Sequence, residues 1–276
     1  SDEGGEEFSR VAVGRRPTAL ALSPSHETVY VANTFGDSIS VVDVSSAATE
    51  AEISLGPQPE LTSADQGELL FHDANLSRDR WFSCNSCHTD GHSNGLLNDN
   101  FADGSEGAAK RVLSLLGVAQ THPWAWNGKR SNLAEQVRAS INTTMRGEEP
   151  TEEQVDLLIA YLETLQPPPS LAQARGELDK AVVAHGAGVF ESNGCVNCHP
   201  APHYTTEESY DVGVHDRLGN LEFNPPSLRG VSQRDRLFHD NRAEGLVEVF
   251  REHQHGLDEP LGDDELTSLV AFLENL

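Results

Sequence analysis

Two pentapeptides, Cys84-Asn85-Ser86-Cys87-His88 and Cys195-Val196-Asn197-Cys198-His199, use all four cysteines of this 276-residue chain. Cys-x-x-Cys-His suits covalent attachment of haem c. Two thiols three positions apart reach the two vinyl groups of one porphyrin, and the adjacent histidine falls beneath the ring as the proximal ligand of iron. A redox dithiol, a zinc site or a pair of disulfides would account for the cysteines, but not for the histidine directly after the second one in both copies. The expectation is two haem c groups, attached through Cys84, Cys87, Cys195 and Cys198, with His88 and His199 on the irons. Thioether attachment takes place outside the bacterial cytoplasm, so a periplasmic or extracellular location is expected. The chain opens at Ser1 without a basic or apolar leader, as if an export signal had been removed.

Composition narrows the partners. With 44 acidic against 19 basic residues the formal charge is −25, which argues against nucleic acid and anionic lipid as partners. A basic redox partner or a salty habitat fits such a surface, and so does plain solubility. No apolar run approaches the length that spans a bilayer.

The elements that must position the two motifs differ along the chain. Val11-Ala12-Val13-Gly14, Thr28 to Asn33, Ser38 to Asp43 and Ile53-Ser54-Leu55-Gly56 are short β-rich runs between turn residues, which predict one four-stranded antiparallel unit over residues 1–60. Gly14-Arg15-Arg16-Pro17 returns 42 residues later as Gly56-Pro57-Gln58-Pro59, a period that suits a propeller blade. With Tyr30-Val31-Ala32-Asn33 at the naming motif and Ala21-Leu22-Ser23-Pro24 ahead of it, the segment resembles one blade of the YVTN-type β-propeller family. A lone blade cannot bury both faces, which implies a longer parent protein or packing on the remaining domains.

From Leu61 the pattern turns helical, and the fold is expected to be mainly α. Ser63 with Gln66 and Thr151 with Gln154 read as capping boxes, the second opening a stripe of Val155, Leu158, Ile159 and Leu162. Gln166-Pro167-Pro168-Pro169-Ser170 reads as a stop and stiff linker, and a last helix carries Leu266, Leu269, Val270 and Leu273 on one face. An offset of 111 residues superposes Cys84 on Cys195 and also Leu158-Ile159-Ala160-Tyr161-Leu162-Glu163 on Leu269-Val270-Ala271-Phe272-Leu273-Glu274. Ser114 to Gln120 is echoed by Ser227 to Gln233. Two tandem cytochrome c-like domains, 61–168 and 169–276, are the simplest account.

Leu70-Phe71-His72-Asp73, Trp126-Asn127-Gly128-Lys129-Arg130 with Leu133 and Gln136, Pro226-Ser227-Leu228-Arg229-Gly230-Val231, and Phe238-His239-Asp240-Asn241-Arg242 with Leu246 and Val249 carry a wider resemblance. Residues 61–276 resemble the bacterial di-haem cytochrome c peroxidase and MauG superfamily. The resemblance implies a peroxide-reacting haem in the first domain, an electron-storing haem in the second and a tryptophan between them. Trp126 matches that tryptophan, with Trp124 the better candidate for a core aromatic. Gln136 matches a glutamine that orients peroxide, although it also suits an ordinary polar helix position.

Departures from the family pattern bear on activity. Where the peroxidases carry a glutamate for proton transfer, Asn142-Thr143-Thr144-Met145-Arg146-Gly147 holds no carboxylate, leaving Glu148, Glu149 or a residue from elsewhere as substitutes. Met145, the only methionine, is either a sixth ligand of the first iron or a packing residue, and packing is the favoured reading. For the second iron, counting from Phe238 lands on His253, which with His199 would make a bis-histidine haem; His255 competes, and a solvated histidine pair is the third possibility. Asp103, Gly104 and Ser105 stand where many peroxidases place a displaceable histidine, and neither His92 nor His122 suits that role, so the first iron is expected to be open. The resemblance also raises an inter-domain calcium ion, weakened by Val112 where an asparagine is expected. The function expected is peroxide-dependent oxidation of a small, basic cytochrome or cupredoxin. The alternatives are a pure electron-transfer cytochrome with both irons six-coordinate and a MauG-like oxidase of a protein partner.

Overall fold

The computed structural model describes residues 9–57, 60–167 and 169–276. Gln58 and Pro59 of the 42-residue recurrence and Pro168 of the proline run lie outside them. The chain divides into two compact units, Ser1–Thr62 and Ser63–Leu276.

The first unit is a four-stranded antiparallel meander, β1 Pro17–Leu22, β2 Thr28–Asn33, β3 Ser38–Asp43 and β4 Ala48–Ser54, in sequential order. Two of the four expected runs shift. The first strand is Pro17–Leu22 rather than Val11–Gly14, because Leu20, Ala21 and Leu22 pair in register with Val31, Tyr30 and Val29 of β2. Pairing overrides the weak strand propensity of alanine and leucine. Val11–Gly14 is instead tied down from the side: Thr49 Oγ1 donates to the Ala12 carbonyl and the Gly14 amide to Ser40 Oγ. The fourth strand starts five residues before Ile53 and stops at Ser54. At the centre stands Asn33, buried, its amide donating to Ser38 Oγ at 3.1 Å and Ser40 Oγ at 2.8 Å. The last residue of the Tyr-Val-Ala-Asn motif is thus a polar hub, its amide nitrogen satisfied by hydroxyls that a strand period of two brings to the same face, while its Oδ1 is buried without a partner.

The second unit is built on helices. The helices α1 Ser63–Phe71, α2 Cys84–Cys87, α3 Leu133–Ala139 and α4 Glu152–Thr164 precede the proline run. After it come α5 Leu171–Arg175, α6 Lys180–Ser192, α7 Leu246–Arg251 and α8 Asp263–Glu274. The Thr151 capping box forms as expected, the Gln154 amide donating to Thr151 Oγ1 at 3.1 Å and the Thr151 amide to Gln154 Oε1 at 2.9 Å. A first hydrophobic core gathers Phe71, Val137, Ile141, Met145, Val155, Leu158 and Leu162. A second gathers Val189, Phe190, Val249, Phe250, Leu266, Leu269 and Leu273. Both cores use the same crossing: α1 packs on α4 through Gly67, and α6 packs on α8 through Gly186. A Cβ on Gly67 would strike the Leu157 carbonyl and Tyr161 Cβ, and one on Gly186 would strike the Ser268 carbonyl and Phe272 Cβ. Leu157 and Tyr161 stand 111 residues before Ser268 and Phe272, so the sequence offset is also a packing offset.

A buried ion cluster joins what the two cores do not. The Lys110 ammonium lies 3.2 Å from Asp103 Oδ2 and 3.3 Å from Asp216 Oδ2, with all three side chains at most 4 % exposed. Hydrogen bonds from Asn220 and from the Leu218 amide outweigh burial and hold Asp216 down at about 2. Among the described residues, no helix is long and apolar enough to cross a membrane.

Helix propensity alone favours alanine over glycine by about 0.8–1.0 kcal/mol. The clash should win, with Gly67→Ala and Gly186→Ala each lowering unfolding free energy by about 1–3 kcal/mol. Chemical denaturation measures this, and midpoints equal to or above that of the parent protein in both variants would contradict the close crossing.

Candidate functional site

Each Cys-x-x-Cys-His segment is one turn of helix. In the first, Ser83 and Ser86 form a capping box ahead of Cys84, and the His88 amide donates to the Cys84 carbonyl at 2.9 Å. In the second, Gly194, with φ of 72°, turns the chain into Cys195–Asn197, and the His199 amide donates to the Cys195 carbonyl at 2.9 Å. The turn holds the histidine four residues from the first thiol in both copies, the arrangement that thioether attachment requires. All four cysteines are free thiols and partly buried. Burial raises each of them, and Cys84 reaches about 12. Redox dithiols and zinc thiolates need the opposite shift. Among the described residues, no group of three or more His, Cys, Asp and Glu side chains is placed to hold a metal ion.

Both proximal histidines are oriented alike. His88 Nδ1 lies 3.0 Å from the Leu113 carbonyl and His199 Nδ1 3.0 Å from the Tyr204 carbonyl. Donating Nδ1–H to a carbonyl leaves the Nε2 lone pair for a metal. Burial pulls both imidazoles down to about 4, so at neutral pH both rings are uncharged. These residues fit haem c on geometry and on protonation.

A cavity of about 240 Å³ opens beside the first motif, lined by Cys84, Cys87 and His88 and by Trp126, Gln136 and Met145. Gln136 projects from α3, donating its amide to Ser140 Oγ at 3.0 Å and leaving Oε1 buried without a partner. After α3 the chain forms a five-residue π-helical turn, Ser140–Thr144, that delivers Met145 to the first core, where it is 5 % exposed. Glu148 and Glu149 are exposed and outside the cavity lining; Glu149 pairs with Arg138 at 3.2 Å. Among the described residues, the one acidic side chain lining the cavity is Asp103, held by Lys110.

Trp126 stands at the seam between the segments that carry the two motifs. Its indole N–H donates to the Arg111 carbonyl at 2.8 Å, and its edge faces Phe223 and His239 at 6.5 and 6.2 Å. The Asn224 amide donates to its backbone carbonyl at 2.8 Å. It lines both the large cavity and a smaller adjacent one. Trp124 packs on the first core, its N–H donating to the Val118 carbonyl at 3.0 Å. His92 lines the smaller cavity, its Nδ1 2.7 Å from Ser114 Oγ.

Near the second motif, His253 and His255 follow the end of α7, and both rings meet Phe238 edge-on at 5.2 and 5.4 Å. His253 Nε2 and His255 Nδ1 are buried without hydrogen-bond partners. The two are not equivalent. His253 Nε2 points toward Glu248 at 3.9 Å, whereas burial holds His255 below the usual range for an imidazole.

Two arginines that motif reading passed over, Arg111 and Arg234, also line the large cavity. Their signal lay in scarcity: only 19 residues of the chain are basic, and these two flank the segments carrying the family resemblance.

Comparison with known proteins agrees with this geometry. Residues 62–173 match the family model described as di-haem cytochrome c peroxidase. The chain is 26 % identical over 271 residues to the cytochrome c551 peroxidase of Nitrosomonas europaea, covering 77 % of this chain and 79 % of that protein. Among solved structures, hydrazine synthase from Kuenenia stuttgartiensis superposes with a TM-score of 0.67 at 23 % identity, covering 79 % of this chain and 89 % of that one. A MauG-like protein associated with microbial copper homeostasis superposes at 0.62 with 17 % identity, covering 80 % and 89 %. The diheme peroxidase BthA of Burkholderia thailandensis superposes at 0.57 with 17 % identity over 95 % of both chains. The structures show a shared fold. The family model and the sequence relative support a likeness to the di-haem cytochrome c peroxidase family, whose description implies two haems.

The holoprotein is expected to contain two haems per chain by the pyridine haemochrome assay, both retained after acid–acetone extraction. Extractable haem, or fewer than two per chain, would contradict the attachment at both motifs.

Proposed function

We propose that the chain is an exported di-haem c-type cytochrome with peroxide-dependent oxidoreductase activity. Its tandem cytochrome c-like domains span 61–168 and 169–276, behind a β-propeller-like blade over 1–60. The observation that carries this reading is the single cavity shared by His88, Gln136, Trp126 and Met145. When bound, the haems supply an iron at which peroxide is reduced and a second iron that stores an electron.

The chain's own residues set the conditions for that chemistry. His88, fixed by the Leu113 carbonyl, presents a neutral Nε2. Gln136 carries an unpartnered amide oxygen at the cavity wall and orients peroxide there. Leu115, Val137 and Ile141 line the same space and exclude water from it. Trp126, pinned by the Arg111 carbonyl, would couple the two haems for electron transfer. The acidic surface suits a basic cytochrome or cupredoxin as electron donor.

Asp103 is committed to Lys110, so no free carboxylate stands at the cavity to move a proton during O–O cleavage. That observation favours a second reading, an electron-transfer cytochrome, in which Met145 closes the first iron. The burial of Met145 among Phe71, Ile141 and Leu158 supports packing instead. For the second iron, His253 supplies the distal nitrogen in this reading, with His255 as the competitor; each carries a buried ring nitrogen without a hydrogen-bond partner.

Two experiments test these roles. Hydrogen peroxide should change the spectrum of a resting ferric protein that contains high-spin haem, and Met145→Ala should keep that spin state while losing about 2–5 kcal/mol of stability. A purely low-spin protein unmoved by peroxide, opened by Met145→Ala, would establish the electron-transfer reading. Separately, His253→Ala should convert the second haem to high spin and His255→Ala should not; the reverse pattern would move the assignment to His255.

A further inference from the structure

Two cations remain without a role. Arg111 follows Lys110 in the segment after the first motif, and Arg234 follows the turn Val231–Gln233 in the segment after the second. Both side chains line the cavity beside His88 and the smaller cavity beside Trp126. Arg111 is 7 % exposed, and its Nη1 is buried without a partner, as is Arg234 Nε. The acid paired with Arg111 is Asp235, at 3.8 Å, with a side chain 87 % exposed. That contact is too long and too wet to neutralise a buried guanidinium. Arg234 Nη2 donates to the Ser227 and Arg229 carbonyls at 2.8 and 3.3 Å, which satisfies protons but not charge. Arg234 is half-buried, and desolvation together with the charge of the neighbouring Arg111 pulls its guanidinium down to about 10.

A pair of like charges, one buried and one half-buried, is unfavourable unless an anion completes it. This chain has 44 acidic residues, yet Asp103 is committed to Lys110 and Asp235 is exposed. Planar guanidinium forks match carboxylates in two-bond geometry. We propose that Arg111 and Arg234 form a clamp for the propionate carboxylates of the haem attached at Cys84 and Cys87. The second half of the molecule then supplies one of the two guanidinium groups to the haem of the first half. The inference rests on the haem c reading of the first motif. It also bears on the calcium expectation, because a divalent cation placed in this gap would face two positive charges.

The clamp stabilises the ferrous state, which carries one positive charge less than the ferric state, so removing a guanidinium lowers the potential of the first haem. The test is spectroelectrochemical titration of the holoprotein as the parent, Arg111→Gln, Arg234→Gln and Arg234→Lys, with resonance Raman spectra of the propionate bending bands. Each glutamine variant should shift the first haem's equilibrium about tenfold toward ferric, 59 mV for a one-electron couple, and displace the propionate band. Arg234→Lys should fall between. A potential and a band that match the parent in both glutamine variants overturn the clamp. A parent potential that varies with phosphate concentration at fixed ionic strength assigns the pair to a small free anion and also overturns it. If Arg234→Gln does not accumulate, Arg111→Gln and the phosphate titration decide the matter. Absence of haem at Cys84 and Cys87 in the parent removes the underlying haem reading, a result distinct from either of these.

Discussion

The ammonium of Lys110, held between Asp103 and Asp216 away from water, is the interaction on which the arrangement of the helical unit depends. Its two acids come from segments more than a hundred residues apart, each following a different Cys-x-x-Cys-His motif. Such a buried cluster gains little net stability over apolar packing, because desolvation offsets most of the Coulomb attraction. What it supplies is registry. A hydrophobic seam tolerates sliding, whereas a buried ammonium has few positions in which both carboxylates are satisfied. The next residue is Arg111, whose carbonyl receives the Trp126 indole and whose amide donates to the His239 carbonyl. Placing Lys110 therefore also places the tryptophan, the arginine and the histidine that faces them.

Much of this helical unit was legible in the sequence where the signal is local. Thr151 and Gln154 cap α4 as their spacing required, and the stripe through Leu266, Leu269 and Leu273 lies in the second core. The 111-residue offset became a shared helix crossing. Positions decided by partners distant in sequence were less legible. The valine-rich run at 11–14 has the better strand propensity, yet Pro17–Leu22 has the pairing partner. Spacing led to His253 with His255 as competitor, and both lie beyond the end of α7, where helical counting does not separate them. Arg111 and Arg234 are neighbours only in three dimensions.

Charge is distributed in opposite senses outside and inside. The surface carries a large excess of carboxylates, which repels anions at a distance and favours approach of a basic protein. The seam buries Lys110 and Arg111 and holds Arg234 half-buried beside the cavity. Fields in a dry interior are screened far less than those at the surface. The few buried cations therefore govern the groups beside the cavity more strongly than the acidic exterior does.

The π-helical turn at Ser140–Thr144 sets a phase. Each α-helical residue advances the side chain by about 100° around the axis, and the wider turn inserts the equivalent of one extra step. Gln136 precedes that step and Met145 follows it, so the two reach the same cavity although regular helical counting does not bring them to one face. Shortening the turn by one residue would leave α3 and Gln136 where they are while rotating everything downstream. Thr144, which bonds Asn100, and Met145, which packs in the first core, would exchange surroundings. Which atom type meets the space above His88 is thus controlled by the length of one turn as much as by the identity of any residue in it.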